Sequence, residues 1–295
     1  MRVIPNYLKC RKMHSSKKIL IAGGNGQLAQ SLLHHQDASS FHLIPLTRKN
    51  LDITNQQSIE KVIQIHMPDW MINTAAYTAV DQAEIEIEKA HQVNHHGANY
   101  IAKACEKHDI PLLHISTDYV FDGLSNAPYS EEDAVNPLNI YGKSKWLGEE
   151  AIRQSHPKHI ILRVSSIFSA FGQNFFKTML HLKRSKKTIQ VVADQITCPT
   201  FAGDIAKAIF TIISSPSIFG TYHFASTEFV SWHQFAEAIL NQKVVAASSH
   251  NMMHLAKRPS FSALDCRKIQ STFGIKQPSW HKALTQLLEN SVLSL

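Results

Sequence analysis

Long apolar runs, clustered cysteines and signal sequences are all missing from this chain of 295 residues. No run approaches the roughly 18–20 apolar residues that a membrane-spanning helix needs, so we expect no membrane partner. The N-terminal stretch MRVIPNYLKCRKMHSS is basic without an apolar core segment, so we expect no secretory signal there. Residues 1–16 are predicted to be a frayed extension of a cytoplasmic protein.

Metal-binding and disulfide patterns are also missing. Cys10, Cys105, Cys198 and Cys266 lie far apart, and no CxxC or Cys/His cluster occurs. This spacing predicts neither a zinc site nor a disulfide framework, and we expect reduced thiols. The 18 histidines are scattered, and their adjacent pairs lack the i, i+4 spacing that directs two imidazoles at one metal ion. We therefore predict no bound metal.

The net charge of +7, with histidines neutral, suits an anionic small ligand and equally a nucleic acid. Much of the excess lies in two stretches, 9–18 and 183–187, which we interpret as solvated surface. No basic motif interleaved with aromatic residues occurs, so we predict no nucleic-acid partner.

Strand and helix patterns alternate through the first two thirds of the chain. Apolar runs bounded by turn residues occupy 17–24, 41–47, 70–76, 112–117 and 159–168. Helical patterns lie between them at 26–36, 55–66, 84–108 and 140–155. Short continuous apolar strands separated by helices predict a parallel sheet covered on both faces. The fold class is therefore α/β, a Rossmann-like doubly wound sheet.

After about residue 170 this alternation loosens into shorter strands and helices. Open α/β sheets place their active sites at the carboxyl ends of the strands. We predict that 171–295 form mainly a smaller C-terminal α/β substrate lobe over that edge, with some segments returning to the sheet.

The first predicted strand leads into a glycine-rich turn, 23-GGNGQLA-29, and then into a helix. Glycine permits a tight turn and a close approach of the backbone to a pyrophosphate, and the helix N-terminus offers free N–H groups. In this context the turn predicts a dinucleotide site rather than a purely structural turn. Residues 17–170 are expected to form an NAD(P)-binding Rossmann domain that includes the helix at 140–155.

The second predicted strand indicates which dinucleotide is bound. It ends in Thr47-Arg48 rather than in the acidic residue that binds the ribose hydroxyls of NAD. Arg48 is well placed for a 2′-phosphate, which favours NADPH with NADH as the alternative, unless Arg48 is an ordinary solvent-facing side chain. Asp52 could reach the adenine edge or cap the helix that follows.

Tyr141, Lys143 and Lys145 fall on the first turns of a predicted helix, where positive charge opposes the helix dipole. Tyr141 and Lys145 share one helix face, and a nearby ammonium lowers a phenol pKa from its usual value near 10. A hydroxyl from Thr117 or Ser116 could bind the same carbonyl oxygen. This set predicts carbonyl reduction, in which Tyr141 protonates the oxygen while Lys145 tunes Tyr141 and holds the nicotinamide ribose. The alternative is a packed tyrosine beside a solvated lysine.

In order, the motifs GGNGQLA, LDIT, NTAAYTAVDQAE, STDYVFDG and YGKSK resemble those of the extended short-chain dehydrogenase/reductase superfamily. Within it, the chain resembles the dTDP-4-dehydrorhamnose reductase family from residue 17 to about 290, through NFFKTML, DQITCPT, SWHQFA and KRPSFSALD. The resemblance implies NADPH-dependent reduction of the C4 ketone of dTDP-4-dehydro-L-rhamnose, a step in nucleotide-sugar and lipopolysaccharide biosynthesis. The oligomeric state stays open, with a homodimer as the candidate assembly.

The resemblance also implies roles for individual residues, with Thr117, Tyr141 and Lys145 matching the catalytic set. Positions around the cofactor are matched by Gly23, Asn25, Gly26, Gln27, Leu28, Asp52, Ile53, Ala75, Ala76, Tyr77 and Asn94. Positions around the nucleotide-sugar are matched by Val80, Asp81, Asp118, Asn174, Phe175, Gln195, Pro199 and Arg258.

One position departs from the family pattern. Ser166 stands where these reductases typically carry a tryptophan against the sugar, and its loss removes a rigid contact surface. Another nucleotide-linked 4-keto-deoxysugar is therefore an alternative substrate. A non-catalytic NADP-binding regulatory subunit, like the similar β subunit of methionine adenosyltransferase, is an alternative of another class. The complete set of Thr117, Tyr141 and Lys145 favours an enzyme.

Overall fold

The structure is a computed structural model that describes residues 16–185, 188–215 and 218–292. Apart from Ser16, the extension expected at the N-terminus lies outside these residues. Among the described helices, none combines the length and apolarity needed to cross a membrane. The strands are β1 (Lys18–Ala22), β2 (His42–Leu46), β3 (Trp70–Asn73), β4 (Leu112–Thr117), β5 (His159–Val164), β6 (Ile167–Phe168), β7 (Gln190–Val192), β8 (Ile196–Thr197), β9 (Thr200–Phe201), β10 (Gly220–Phe224), β11 (Val230–Ser231) and β12 (Val245–Ala247).

Helices follow most of the strands, as a doubly wound fold requires. They are α1 (Gln27–Leu33), α2 (Gln56–His66), α3 (Val80–Ala83), α4 (Ile87–His91), α5 (Ala98–Lys107), α6 (Ile140–Ser155), α7 (Phe175–Arg184), α8 (Ala202–Ser214), α9 (Trp232–Leu240), α10 (Arg267–Phe273) and α11 (Trp280–Val292). The helix predicted at 84–108 is divided, because a π-helix at Gln92–Gly97 separates α4 from α5.

A six-stranded parallel sheet in the order β10-β5-β4-β3-β1-β2 forms the centre of the molecule. Side chains of β1 alternate between two cores: Ile19 and Ile21 pack on one face, Leu20 and Ala22 on the other. The first core includes helices α1 and α8, and the second includes α2 and α5. This confirms the predicted α/β doubly wound class.

The second half of the chain contributes to both the sheet and the lobe. Strand β10 pairs with β5, so this segment of the second half returns to the central sheet. Helices α7, α9 and α11 enclose a third apolar cluster around Phe168, Phe235 and Trp280. The division of function at residue 170, with a cofactor domain before it and a substrate lobe after it, stays a prediction.

Candidate active site

Two adjoining cavities lie along the carboxyl ends of the central strands. The larger has a volume of about 490 Å³ and the smaller about 340 Å³. Asn25, Gly26, Thr74 and Ala76 line both, so the two form one continuous cleft. The glycine-rich turn therefore lies at the middle of the cleft, where the edge of an open α/β sheet places ligands.

The glycine-rich turn is shaped by close backbone contacts. Gly23 has φ of +80°, and a Cβ there would lie 2.8 Å from the amide nitrogen of Ala75. The Gly26 amide donates to the Gly23 carbonyl at 2.8 Å, and α1 begins immediately afterwards with no side chain capping its first turn. The first amides of α1 are thus left for a ligand, as the sequence predicted for a pyrophosphate.

The smaller cavity is the expected adenosine end of the cleft. Residues predicted to bind the cofactor that line it are Gly23, Arg48, Asp52, Ile53, Ala75, Ala76 and Tyr77. Lys89 also lines it, with Nζ 5.5 Å from the centre of the Tyr77 ring and 2.6 Å from Glu86 Oε2. Sequence reasoning missed Lys89, because its approach to Arg48 depends on how α4 packs and no local motif marks it.

The alternative role of Asp52 as a helix cap is wrong. Its Oδ1 accepts hydrogen bonds from the Thr54 amide at 3.0 Å and the Thr54 hydroxyl at 2.7 Å. Helix α2 is capped instead by Asn55, whose side chain accepts from the amides of Gln57 and Ser58. Asp52 therefore stabilises the turn at the edge of the smaller cavity.

Helix α6 brings Tyr141 and Lys145 to the larger cavity. Asn139 caps it by accepting from the Gly142 amide at 2.8 Å. A Cβ at Gly142 would clash with the Tyr119 carbonyl oxygen, so only glycine allows this close approach to the segment after β4. Lys143, on the opposite side, is exposed. The two lysines at the start of this helix therefore differ: Lys145 is buried at the cavity, and Lys143 is solvated.

The hydroxyl available beside Tyr141 is that of Thr117, not Ser116. The Ser116 hydroxyl donates to the buried Glu149 carboxylate at 2.5 Å, which commits it to the protein interior. Thr117 lines the larger cavity together with Tyr141. Thr117, Tyr141 and Lys145 therefore converge on one cavity.

The pKa of Tyr141 moves opposite to the sequence-based expectation. Burial raises it to about 12, hydrogen bonding with Thr117 opposes the rise, and the Asp118 charge adds to it. Burial also lowers the pKa of Lys145 to about 8, against the opposing charge of Glu149. The net shift is a rise rather than the lowering predicted from Lys145, because desolvation is its largest cause. Tyr141 is protonated at neutral pH.

Asp118 is turned into the protein beneath Thr117. It is 2% exposed, and its two oxygens accept from the hydroxyls of Thr117 at 3.1 Å and Ser165 at 2.8 Å. Burial raises the pKa of Asp118 to about 6, against hydrogen bonds from Ser262, Ser165 and Thr117. Asp118 contributes to the cavity wall, and its carboxylate orients the Thr117 hydroxyl by accepting its hydrogen bond.

Ser166 ends the strand that the sequence predicted to continue to 168. Its φ of +43° is left-handed, so β5 stops and β6 starts in a new direction. Ser166 lines the larger cavity, and its hydroxyl contacts that of Thr197. The position is therefore at the expected sugar end of the cleft but offers it no ring.

Trp232 supplies an aromatic ring that sequence reasoning did not place in the site. It lines the larger cavity together with Ser166, and its ring centre lies 4.6 Å from that of Phe175. Its amide donates to the Gln195 carbonyl at 3.3 Å. Phe175 and Gln195, both predicted to contact the substrate, thus lie behind Trp232. The only signal in the sequence was the block SWHQFA.

Val80, Asn25, Gly26, Gln27 and Leu28 line the larger cavity as well. Other predicted residues line neither cavity, namely Asn94, Asp81, Arg258, Asn174, Phe175, Gln195 and Pro199.

Four of these residues form specific side-chain contacts. The Asn94 side chain accepts from the Tyr77 amide at 2.8 Å and donates to the Tyr77 carbonyl at 3.0 Å. Asn174 donates to Gln27 Oε1 at 3.1 Å. Arg258 forms a two-pronged pair with Asp81, at 2.6 and 3.2 Å. Within the described residues no group of three or more His, Cys, Asp or Glu side chains could hold a metal ion.

Comparison with known proteins places these features in one family. The model of the RmlD substrate binding domain family matches residues 17–293. The dTDP-4-dehydrorhamnose reductase of Aggregatibacter actinomycetemcomitans is 41% identical over 287 residues, covering 92% of this chain and 98% of that protein. The spore coat polysaccharide biosynthesis protein SpsK of Bacillus subtilis is 37% identical over 277 residues, covering 92% and 97%.

A solved structure agrees with both sequence comparisons. The crystal structure of dTDP-4-dehydrorhamnose reductase from Bacillus anthracis, in complex with NADP, superposes with a TM-score of 0.89 at 36% identity. The superposition covers 94% of this chain and 100% of that one. This chain belongs to the dTDP-4-dehydrorhamnose reductase family.

Proposed function

We propose that this protein reduces the C4 ketone of dTDP-4-dehydro-L-rhamnose to dTDP-L-rhamnose with NADPH, for nucleotide-sugar and cell-surface polysaccharide biosynthesis. The observation that carries the proposal is the convergence of Thr117, Tyr141 and Lys145 on one cavity beside the glycine-rich turn. Membership of the family supports the substrate, and the larger cavity is adjacent to the cofactor end of the cleft.

The residues present fit NADPH. The turn at Gly23 and the uncapped first amides of α1 would hold the pyrophosphate. Arg48 and Lys89, both at the smaller cavity, are cations suited to a 2′-phosphate, and the related Bacillus anthracis enzyme binds NADP. When bound, NADPH supplies the hydride for the ketone carbon. NADH remains the weaker alternative, since it carries no 2′-phosphate.

The reacting oxygen of the ketone needs a proton donor and an orienting group. Tyr141 is the donor, because burial keeps its phenol protonated at neutral pH. Thr117 would orient the ketone oxygen by turning toward it the hydroxyl hydrogen that Asp118 accepts in this structure. In its ammonium form Lys145 stabilises the phenolate that remains after the transfer. Activity is therefore expected to fall as pH rises through the Lys145 pKa of about 8.

Trp232 bears on the choice of sugar. Ser166 motivated another nucleotide-linked 4-keto-deoxysugar as substrate, because it lacks the aromatic ring of the family pattern. Trp232 offers the same cavity a large flat surface from a different element, with Phe175 behind it. This supports the rhamnose precursor as the substrate.

The decisive experiment measures NADPH oxidation at the nicotinamide absorbance with enzymatically prepared dTDP-4-dehydro-L-rhamnose. Wild type is compared with Tyr141→Phe, and NADPH binding is followed separately by fluorescence. Turnover that is lost in the variant while NADPH binding persists is the expected result. NADPH binding by wild type without turnover of this or other keto-sugars would support a regulatory subunit instead.

The proposal also includes a cytoplasmic location, no nucleic-acid or membrane partner, and a homodimer as the candidate assembly. Cell fractionation and sedimentation velocity test these statements. A monomer at concentrations well above those used for assay would exclude the homodimer.

A further inference from the structure

Three buried polar side chains form a line beneath the cleft. Asn73 ends β3, His114 lies on β4 and Lys145 on α6, and each is at most 2% exposed. Asn73 Nδ2 lies 3.0 Å from His114 Nδ1, and His114 Nε2 lies 3.1 Å from Lys145 Nζ. The line runs from the wall of the cofactor cleft to the catalytic lysine.

The direction of the first hydrogen bond is fixed by a backbone amide. The Ala75 N–H, which can only donate, points at Asn73 Oδ1 at 3.1 Å. The other end of the same side chain, facing His114, is therefore the Nδ2 group, which also can only donate. His114 Nδ1 must accept, and it carries no hydrogen.

The second hydrogen bond follows from the first. Burial holds the pKa of His114 well below its usual range, so the ring is neutral. A neutral imidazole has one N–H, and with Nδ1 accepting, that hydrogen sits on Nε2. His114 Nε2 then donates toward Lys145 Nζ, which can accept only as a neutral amine. The amine still donates one hydrogen to the Ile115 carbonyl at 2.6 Å.

An ammonium at Lys145 would conflict with this arrangement. Its Nζ has no lone pair, so it would oppose the His114 Nε2–H with a second donor. Two rearrangements would remove this clash of donors. The hydrogen of His114 could move to Nδ1, where it would face the Nδ2 donor of Asn73, or the Asn73 amide could flip and lose its hydrogen bond from the Ala75 amide. Each option leaves a buried hydrogen-bonding group unsatisfied.

We propose that Asn73 and His114 are positioning residues that disfavour the ammonium form of Lys145, because Asn73 fixes His114 as a hydrogen-bond donor to the lysine. The importance of this for catalysis rests on the proposed reductase function. The effect links the charge of the lysine to the turn at Ala75, which lines the cofactor cleft.

The surroundings of Lys145 contain few other charges. On its own helix, Tyr141 is neutral, and Glu149 favours the ammonium while paired with the buried Arg163. The π-helix packs on α6 through the neutral contact of Asn94 with Ser144. Burial of Lys145 acts in the same direction as the His114 donor.

The test measures the proton state of Lys145 without requiring turnover. Trace acetic anhydride acetylates a lysine amine in its neutral form and not as the ammonium. The extent of Lys145 acetylation, measured by mass spectrometry of its peptide from about pH 6 to pH 11, gives the midpoint of Lys145 deprotonation. His114→Gln and Asn73→Leu should each raise the midpoint by about one pH unit, a tenfold change in proton affinity. In the double variant, Asn73→Leu should add nothing to His114→Gln, since Asn73 acts only through His114.

The control is His156→Gln, which should leave the midpoint unchanged. His156 is another buried histidine, but it hydrogen bonds with the Ile110 carbonyl at 2.9 Å and is remote from Lys145. Unchanged midpoints in folded His114→Gln and Asn73→Leu, or additive shifts in the double variant, would overturn the proposal. If Asn73→Leu fails to fold, the midpoint of His114→Gln decides alone. If the wild type shows the expected midpoints but no activity, the proposed reductase function would be refuted, while the proposed effect of Asn73 and His114 on Lys145 would stand.

Discussion

Glu149 is the buried carboxylate that fixes the catalytic helix to the sheet, and we expect Glu149→Gln to be strongly destabilising. The side chain is completely buried and accepts from Arg163 Nε at 2.9 Å, Arg163 Nη2 at 2.7 Å and the Ser116 hydroxyl at 2.5 Å. Arg163 is itself 2% exposed. A neutral amide at this position would leave the guanidinium buried without its counter-charge.

The magnitude follows from the Glu149 pKa. Burial raises it, but the charges and hydrogen bonds of Arg163, Arg153 and Ser116 outweigh burial and lower it from 4.5 to about 2. That depression corresponds to about 3 kcal/mol of stability. Removing one partner from a buried ion pair costs about 3–5 kcal/mol, which agrees. The stability is present above the unfolded pKa and is lost as pH falls from 4.5 through about 2.

Urea unfolding followed by circular dichroism measures this loss at neutral pH and at several acid pH values. Glu150→Gln is the matched control, because Glu150 is the next residue on α6 and pairs with Arg153 at the surface, where such pairs contribute about 1 kcal/mol or less. Glu149→Gln should also flatten the acid part of the stability profile. A loss below about 1 kcal/mol, or an acid profile like that of wild type, would refute the reasoning.

Three further changes test the site. Trp232→Ala should raise KM for the nucleotide-sugar about tenfold while NADPH binding is unchanged, because a flat contact surface is lost; steady-state kinetics with an unaltered sugar KM would contradict this. Arg48→Ala and Lys89→Ala should each weaken NADPH more than NADH, as fluorescence titration would reveal; equal losses would exclude recognition of the 2′-phosphate. Gly142→Ala should lower the free energy of unfolding by about 1–3 kcal/mol and reduce kcat, because the added Cβ would clash with the Tyr119 carbonyl oxygen. Unchanged thermal unfolding and unchanged kcat would show that the start of α6 is not tightly packed.

Local patterns in the sequence predicted much of the framework. The helical pattern at 140–155 matches α6, because Asn139 provides a cap and the apolar spacing follows one helix face. The turn at Gly23 was predicted from residues that need a positive φ and close backbone contacts. The convergence of Thr117 with Tyr141 was expected because strand ends of a parallel sheet meet at one edge.

Other features could not be read from local patterns. No local pattern indicates the π-helix within 84–108 or the left-handed φ of Ser166 just after β5. Trp232 enters the cavity from a helix more than sixty residues beyond Ser166, and no motif near Ser166 indicates it. Asp81 and Arg258, both matched to positions around the nucleotide-sugar, pair with each other, which no local pattern indicates.

The sequence by itself determined the parallel sheet, the glycine-rich turn and the spacing of Tyr141 and Lys145, because periodicity, glycine and helix caps act over a few residues. Only the tertiary structure decided between Ser116 and Thr117, raised the Tyr141 pKa and aligned Asn73, His114 and Lys145. Desolvation and the direction of a hydrogen bond depend on what surrounds a side chain in three dimensions, and those neighbours come from distant parts of the chain.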